Sequence, residues 1–244
     1  MKENQAQLEP LLNETMLSIQ SFEPKILAAL CHKLSKIEKL CRWNVGNEIW
    51  TVLESEIIQS AEFFNPMGTS NVAWALATAR RSSPAVWNEL GNAALRNIHE
   101  FSPQASANTV WAYATVGHSS PLLFDKVAEG ALSCLLKFNS QAIANTVWAY
   151  ATVNHTSPKL FDKVAKVALP LLHEFKPQEV ANTVWAYATV RHSAPQLFDM
   201  VTVVALPRLH EFNPWDLANM VWACATVSHS SPKLFDKVAM IVLP

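Results

Sequence analysis

Small and apolar residues occupy most positions of a ten-residue stretch, ANTVWAYATV, that occurs without change at 107–116, 144–153 and 181–190. Altered copies begin at Ser70 and at Ala218. One tryptophan column runs through all five copies at a spacing of 37 residues: Trp74, Trp111, Trp148, Trp185 and Trp222. So regular a period predicts a helical array in which each unit stacks on its neighbours and shares a core with them.

Two helices are predicted in each unit from the residues that start and stop them. Ser102–Pro103 combines a good N-cap with a proline at the first helical position, where its missing N–H costs nothing. Gly117 ends this first helix, and Ser120–Pro121 starts the second helix by the same combination. A proline column deep in the second helix predicts a kink or a split there: Pro170, Pro207 and Pro244.

The pattern therefore predicts an all-α fold, an α-solenoid superhelix of two-helix, 37-residue repeats. Residues 1–21 are predicted to form a partly helical N-terminal segment, and 22–63 a divergent repeat. Five repeats follow, at 64–100, 101–137, 138–174, 175–211 and, incompletely, 212–244. Because a solenoid ordinarily ends in a polar cap and this sequence stops inside a unit, we expect a fragment of a longer protein.

The first helix of each unit is apolar or small on nearly every side, which is typical of an inner layer. At about 100° per residue, Trp111 is predicted to face the second helix together with Ala107 and Ala114. Tyr113 lies on the opposite side of the wheel, with Thr109 beside it. We therefore expect the tyrosine side of the first helices to line a concave groove.

The tyrosines are the first candidates for function, because the chain has three and all occupy one column: Tyr113, Tyr150 and Tyr187. Along a groove, such a ladder would stack successive bases of a single strand. The alternative is that each ring fills the space between neighbouring first helices.

Three further sets of groove residues are expected to contact RNA. Thr109, Thr146 and Thr183 share a column and are predicted to contact base edges, as is Glu179. Columns that vary between units would carry sequence readout; ordinary drift at exposed sites is the alternative. Arginines at the end of the first helix are predicted to contact phosphates: Arg80, Arg81 and Arg191.

Two other columns are interpreted mainly as structural. An asparagine occurs in all five units and is predicted to satisfy backbone groups between units, with a base contact as the alternative. This column comprises Asn71, Asn108, Asn145, Asn182 and Asn219. Histidine follows the first helix in four units, where it suits the helix dipole; a phosphate track is the alternative. Those histidines are His118, His155, His192 and His229.

Composition narrows the function classes. The formal net charge is −1, so any nucleic-acid binding needs a local patch or stacking rather than bulk attraction. The four cysteines have no metal-ligand spacing and are interpreted as core residues in a reducing compartment. No catalytic motif is present, so we expect no enzyme, cofactor, metal or small-molecule substrate. No membrane span and no targeting peptide is visible.

The unit F-x-P-Q-x-x-A-N-T-V-W-A-Y-A, followed by S-S-P-x-L-F, resembles the heptatricopeptide repeat and the closely related octotricopeptide repeat. The resemblance covers 64–244 well and 22–63 weakly. These repeats belong to RNA-binding α-solenoids of mitochondria and chloroplasts, including the FAST-kinase-like and RAP-domain proteins. The resemblance thus implies an organellar protein that binds transcripts and affects their processing, stability or translation.

The sequence therefore favours single-stranded RNA bound in the concave groove as the function. The rival hypothesis is a protein-interaction scaffold whose groove binds a peptide or helix, as many α-solenoids do. Near-neutral charge favours the rival hypothesis, whereas the repeat itself favours RNA.

Overall fold

The computed structural model describes residues 18–19, 22–41 and 46–242, so the predicted segment 1–21 and Pro244 lie almost wholly outside it. Within these residues the chain is helical and forms no strand. The helices are α1 (Pro24–Cys41), α2 (Asn47–Ser60), α3 (Pro66–Thr78), α4 (Pro84–Arg96), α5 (Pro103–Val116), α6 (Pro121–Cys134), α7 (Ser140–Thr152), α8 (Pro158–Ala168), α9 (Pro177–Thr189), α10 (Pro195–Ala205), α11 (Pro214–Thr226) and α12 (Pro232–Val242).

The helices form two layers. The odd-numbered helices, here called the inner helices, pack closely on one another in chain order from α1 to α11. The even-numbered, outer helices contact each other much less. Successive units are therefore closer together in the inner layer than in the outer layer, and the stack curves. The inner helices line its concave side. The predicted α-solenoid is thereby confirmed.

Alanine explains why the inner helices approach so closely. Ala105 and Ala112 lie on one flank of α5, and Ala107 and Ala114 lie on the other. All four are buried. A methyl side chain on both flanks lets two helix backbones approach more closely than leucine or phenylalanine would.

The proline column breaks the outer helices as predicted. Pro170 follows the end of α8 at Ala168, and the chain continues as a 3₁₀ helix, Leu169–Glu174. In α6 the column holds Ser133, and the α-helix runs on to Cys134. Proline removes a hydrogen-bond donor and clashes with the preceding turn, which accounts for the shorter α-helix.

The predicted cap of α5 is present. The Ser102 hydroxyl accepts a hydrogen bond from the Ala105 N–H at 3.2 Å, and Asn139 caps α7 in the same way at 2.9 Å. The start of the outer helices differs, because Ser120 forms no side-chain cap bond although Pro121 does begin α6.

Candidate functional site

The tyrosines do not face the groove. Tyr113, Tyr150 and Tyr187 are fully buried, and each hydroxyl donates a hydrogen bond to a backbone carbonyl in the outer helix of the preceding unit. The Tyr150 hydroxyl, for example, lies 2.6 Å from the Phe124 carbonyl oxygen. Burial raises the pKa of all three phenols above its ordinary value. The prediction that these rings stack bases is wrong: they join consecutive units.

The prediction that the threonine column contacts base edges is also wrong, because these side chains are buried too. Thr109, Thr146 and Thr183 are fully buried on the side of the inner helices that faces the outer layer. The Thr146 hydroxyl donates to the Ala142 carbonyl at 2.7 Å within its own helix. A base edge cannot reach these side chains.

The Glu179 side chain also has a structural role in the protein. Its side chain is buried, and its carboxylate accepts a hydrogen bond from the Lys176 backbone N–H at 2.9 Å. This contact satisfies one of the unpaired donors at the start of α9. The predicted contact between Glu179 and a base is therefore wrong.

The three arginines have different surroundings. Arg81 places its Nε 2.6 Å from Glu54 Oε1 and donates from Nη1 to the Asn47 side chain at 2.9 Å. Its guanidinium is thus engaged by partners within the chain, and the phosphate contact of Arg81 stays a prediction. Arg80 and Arg191 are exposed at left-handed residues, with φ of 56° and 53°, that end α3 and α9. Their phosphate contacts stay a prediction.

The histidines that follow the inner helices pair with the outer layer instead of forming an open track. His155 Nε2 lies 2.9 Å from Asp125 Oδ1, and His192 Nε2 lies 2.8 Å from Asp162 Oδ1. Both partners belong to the outer helix of the preceding unit. His118 contacts Asn88 in the equivalent place, and its partial burial lowers its pKa.

The side chains that do line the concave surface form one stripe along each inner helix. In α5 they are Gln104, Asn108, Trp111 and Thr115, at spacings of four, three and four residues that keep them within an arc of about 60°. The glutamine is exposed, and the asparagine and tryptophan are half-buried. We call this set, together with its equivalents in α3, α7, α9 and α11, the groove stripe. The equivalents are Met67, Asn71, Trp74 and Thr78; Gln141, Asn145, Trp148 and Thr152; Gln178, Asn182, Trp185 and Thr189; and Trp215, Asn219, Trp222 and Thr226.

The amide and indole groups of this stripe bond no other group in the described part of the protein, whereas the Thr115 hydroxyl donates to the Trp111 carbonyl at 2.8 Å. Among the described residues, no asparagine or glutamine amide of the stripe makes a hydrogen bond, and neither does any of its six indole N–H groups. The buried tryptophans outside the stripe behave differently. Trp50 donates to the Glu38 carboxylate at 3.1 Å, and Trp87 donates to the Arg81 carbonyl at 2.9 Å. The stripe therefore offers donors, acceptors and aromatic faces to a ligand.

A cleft at the N-terminal ends of α3 and α5 gives this surface depth. It has a volume of about 560 Å³ and is lined by Asn71, Gln104 and Asn108, with Met67 and Glu100 at its side. A ligand that enters the groove there meets amides from two consecutive units.

Helix α1 continues the stripe with basic side chains. Lys25, His32 and Lys36 take the places of the glutamine, tryptophan and threonine. The His32 ring contacts the Trp74 ring at a centroid distance of 5.1 Å, and Lys39 Nζ lies 6.0 Å from the centre of the same indole. Burial, and secondarily the charge of Lys36, lowers the His32 pKa. One end of the groove is thus positively charged.

Sequence reasoning missed this face, although a signal for it exists. Polar residues stand seven and three positions before Trp111 and four positions after it, and all of them share its side of the helix. At the two corresponding positions before the tyrosine, by contrast, the units around Tyr150 and Tyr187 have only isoleucine or valine. Aligning α1 with the later units would also have revealed its lysines.

The described part of the chain has no cluster of three or more His, Cys, Asp or Glu side chains that could hold a metal ion, and no helix that is long and apolar enough to cross a membrane. Its chemistry lies in the amides, indoles and lysines of the concave surface.

A family model described as RNA-editing substrate-binding complex 6 protein matches residues 59–231, which include the inner helices α3 to α11. No curated protein matches the chain. The family match supports the RNA-associated helical-repeat class that the sequence resemblance implied. It does not support the narrower heptatricopeptide or octotricopeptide assignment.

Proposed function

Because the chain belongs to the RNA-editing substrate-binding complex 6 family, we propose that its groove stripe binds single-stranded RNA. One strand lies along the concave surface and crosses the inner helices in order. Its bases stack on the stripe tryptophans, and their edges meet the amides beside them. Helical-repeat proteins of other families read RNA at one base per unit with two or three side chains, which the glutamine, asparagine and tryptophan of each unit would match.

The observation that carries this proposal is a surface of unpaired amides and indoles that repeats once per unit and adjoins the basic helix α1. These amides and indoles make no bond within the described part of the protein and are accessible, so a ligand can take the place of the water that hydrates them. Stacking of a base on an aromatic side chain contributes about 1–3 kcal/mol, so several tryptophans supply affinity without a large positive charge. This explains how a chain of net charge −1 would bind RNA.

Charge at the rims of the groove favours one path for the phosphates. Arg80 and Arg191 are exposed where the inner helices end, whereas Glu100, Glu174 and Glu211 are exposed just before the inner helices begin. The phosphate backbone would therefore run along the arginine rim, and Lys36 and Lys39, near the C-terminal end of α1, would hold it there. Counterion release from these contacts makes such binding sensitive to salt.

The biological setting follows from the family. We propose that the chain acts in RNA editing, with an RNA substrate and the protein partners of an editing complex. Of the two organelles that the repeat resemblance implied, the family supports the mitochondrion and gives no support to the chloroplast.

The test removes three exposed amides of the stripe in the combined variant Gln104→Ala, Gln141→Ala and Gln178→Ala. Alanine favours helix, so the fold is retained. If each amide contributes a net hydrogen bond of about 0.5–1.5 kcal/mol, the variant binds a randomised single-stranded RNA pool at least about tenfold more weakly. Fluorescence polarisation measures the affinity, and circular dichroism verifies the helicity.

A matched control removes three exposed amides of the outer helices. Its substitutions are Gln59→Ala in α2, Asn92→Ala in α4 and Gln196→Ala at the start of α10. This variant should bind RNA like the unaltered chain. Equal losses in both variants, or no RNA binding by the unaltered chain at low salt, would refute the proposal. The second result would favour a protein ligand for the groove.

A further inference from the structure

Three consecutive units present identical groove residues. The sets are Gln104, Asn108 and Trp111 on α5; Gln141, Asn145 and Trp148 on α7; and Gln178, Asn182 and Trp185 on α9. In all three sets the glutamine is exposed, and the asparagine and tryptophan are half-buried.

The backbones that carry these sets are held alike. The tyrosine hydroxyls of the three units bond the preceding outer helix at 2.6, 2.6 and 2.7 Å. In each unit the hydroxyl reaches a carbonyl 26 residues earlier in the chain. Units with the same side chains in the same geometry cannot prefer different bases, because a preference requires a difference in the groups that read it.

We propose that α5, α7 and α9 together select a run of three identical nucleotides, and that the selected base is adenine. This inference rests on the proposed function, since it assigns a specificity to the same groove. The ligand is thus a single-stranded RNA with an adenine run, and the three units read it in register.

The choice of adenine follows from the chemistry of the stripe. Arginine or lysine suits the O6 and N7 acceptors of guanine, and a carboxylate suits the amino group of cytosine. Neither residue type occurs in the stripe of α5, α7 or α9. An asparagine or glutamine amide, with its donor beside its acceptor, pairs with N6 and N7 of adenine. Uracil on an unpaired strand also exposes an acceptor beside a donor, O4 and N3–H, so the uridine run is the comparison on which the choice of adenine depends.

The neighbouring units limit the run at both ends. Met67 on α3 and Trp215 on α11 replace the glutamine and provide no amide; they are 69% and 76% exposed. Both units keep the asparagine and the tryptophan, so they still stack a base but read its edge with one amide fewer. The strongest preference therefore covers the three central nucleotides.

The experiment compares RNAs of one length in which a fixed, mixed flanking sequence surrounds three adenines, three uridines, three cytidines or three guanosines. A fifth RNA has the composition of the adenine RNA with the adenines separated. Fluorescence polarisation with the full chain should show at least about tenfold tighter binding of the adenine run than of the other four. The variant Gln141→Ala should weaken binding of the adenine run by a larger factor than binding of the separated-adenine RNA, so that the preference between the two falls.

The other outcomes separate this inference from the function beneath it. Equal binding of all five RNAs would overturn the specificity and leave RNA binding by the groove standing. Tighter binding of another run would overturn the assignment of adenine. No binding of any of the five would refute the proposed function itself and the specificity with it.

Discussion

Replacing Tyr150 with phenylalanine removes one buried hydroxyl and leaves the ring in place. The lost interaction is the 2.6 Å hydrogen bond from the hydroxyl to the Phe124 carbonyl oxygen. The ring still contacts Phe124 at 5.0 Å and His155 at 5.6 Å between centroids. A typical intramolecular hydrogen bond contributes about 1 kcal/mol net, so Tyr150→Phe should lower the free energy of unfolding by about that amount.

The equivalent changes Tyr113→Phe and Tyr187→Phe should act alike, because their hydroxyls form bonds of the same geometry. The three bonds join different pairs of units and share no partner, so their effects should add to about 3 kcal/mol. Urea unfolding followed by far-UV circular dichroism measures this loss. Well below the unfolding midpoint, the triple variant should bind RNA with unchanged affinity.

The glutamine variant described above is the counterpart, since it should weaken RNA binding and leave stability unchanged. A tyrosine triple variant that keeps its stability but loses RNA affinity would refute the burial of these hydroxyls and restore the tyrosines as stacking residues.

Two further predictions concern charge. The double variant Lys36→Gln and Lys39→Gln should reduce the slope of log affinity against log salt concentration by about 1.4, since each phosphate contact to a single strand contributes about 0.7. An unchanged slope would remove α1 from the interface. Burial raises the pKa of Asp216, and a weaker hydrogen bond from the Asn213 backbone opposes this shift. The folded state therefore binds a proton on the Asp216 carboxyl more tightly than the unfolded state does. The ionised carboxylate therefore destabilises the fold at neutral pH, and Asp216→Ala should raise the unfolding midpoint at pH 7. This gain in stability should disappear as the pH falls below 3.8, the ordinary pKa of an aspartate. A gain that persists at low pH would contradict this cause.

The architecture was predictable because it depends on the repeat period and on the residues that start and end each helix. The period of 37 residues, the cap at Ser102 and the proline at Pro170 each have one local physical consequence, and the structure has all three. Such signals require no knowledge of which residues meet across the fold.

The side of the helix that faces the groove was predicted wrongly, because an aromatic residue stands on both sides. Trp111 and Tyr113 lie about 200° apart on the wheel, and either ring is large and apolar enough for a core. The sides differ in the polar residues beside the tryptophan, Gln104 and Asn108. The threonine beside the tyrosine can be buried, because its hydroxyl can bond within its own helix, as that of Thr146 does. Centring the wheel on the larger ring concealed this difference.

The position of Arg81 had no local signal. It pairs with Glu54, which lies 27 residues earlier in a unit that diverges from the repeat. Sequence alone therefore identified a cation at the rim of the groove but not the carboxylate that neutralises it.

The most direct test of the account is to map ultraviolet crosslinks between the chain and a bound single-stranded RNA by mass spectrometry. The account predicts crosslinked peptides from the inner helices, with Trp111, Trp148 and Trp185 as the modified residues and no crosslink to Tyr113, Tyr150 or Tyr187. Crosslinks confined to the outer helices, or centred on the tyrosines, would contradict it.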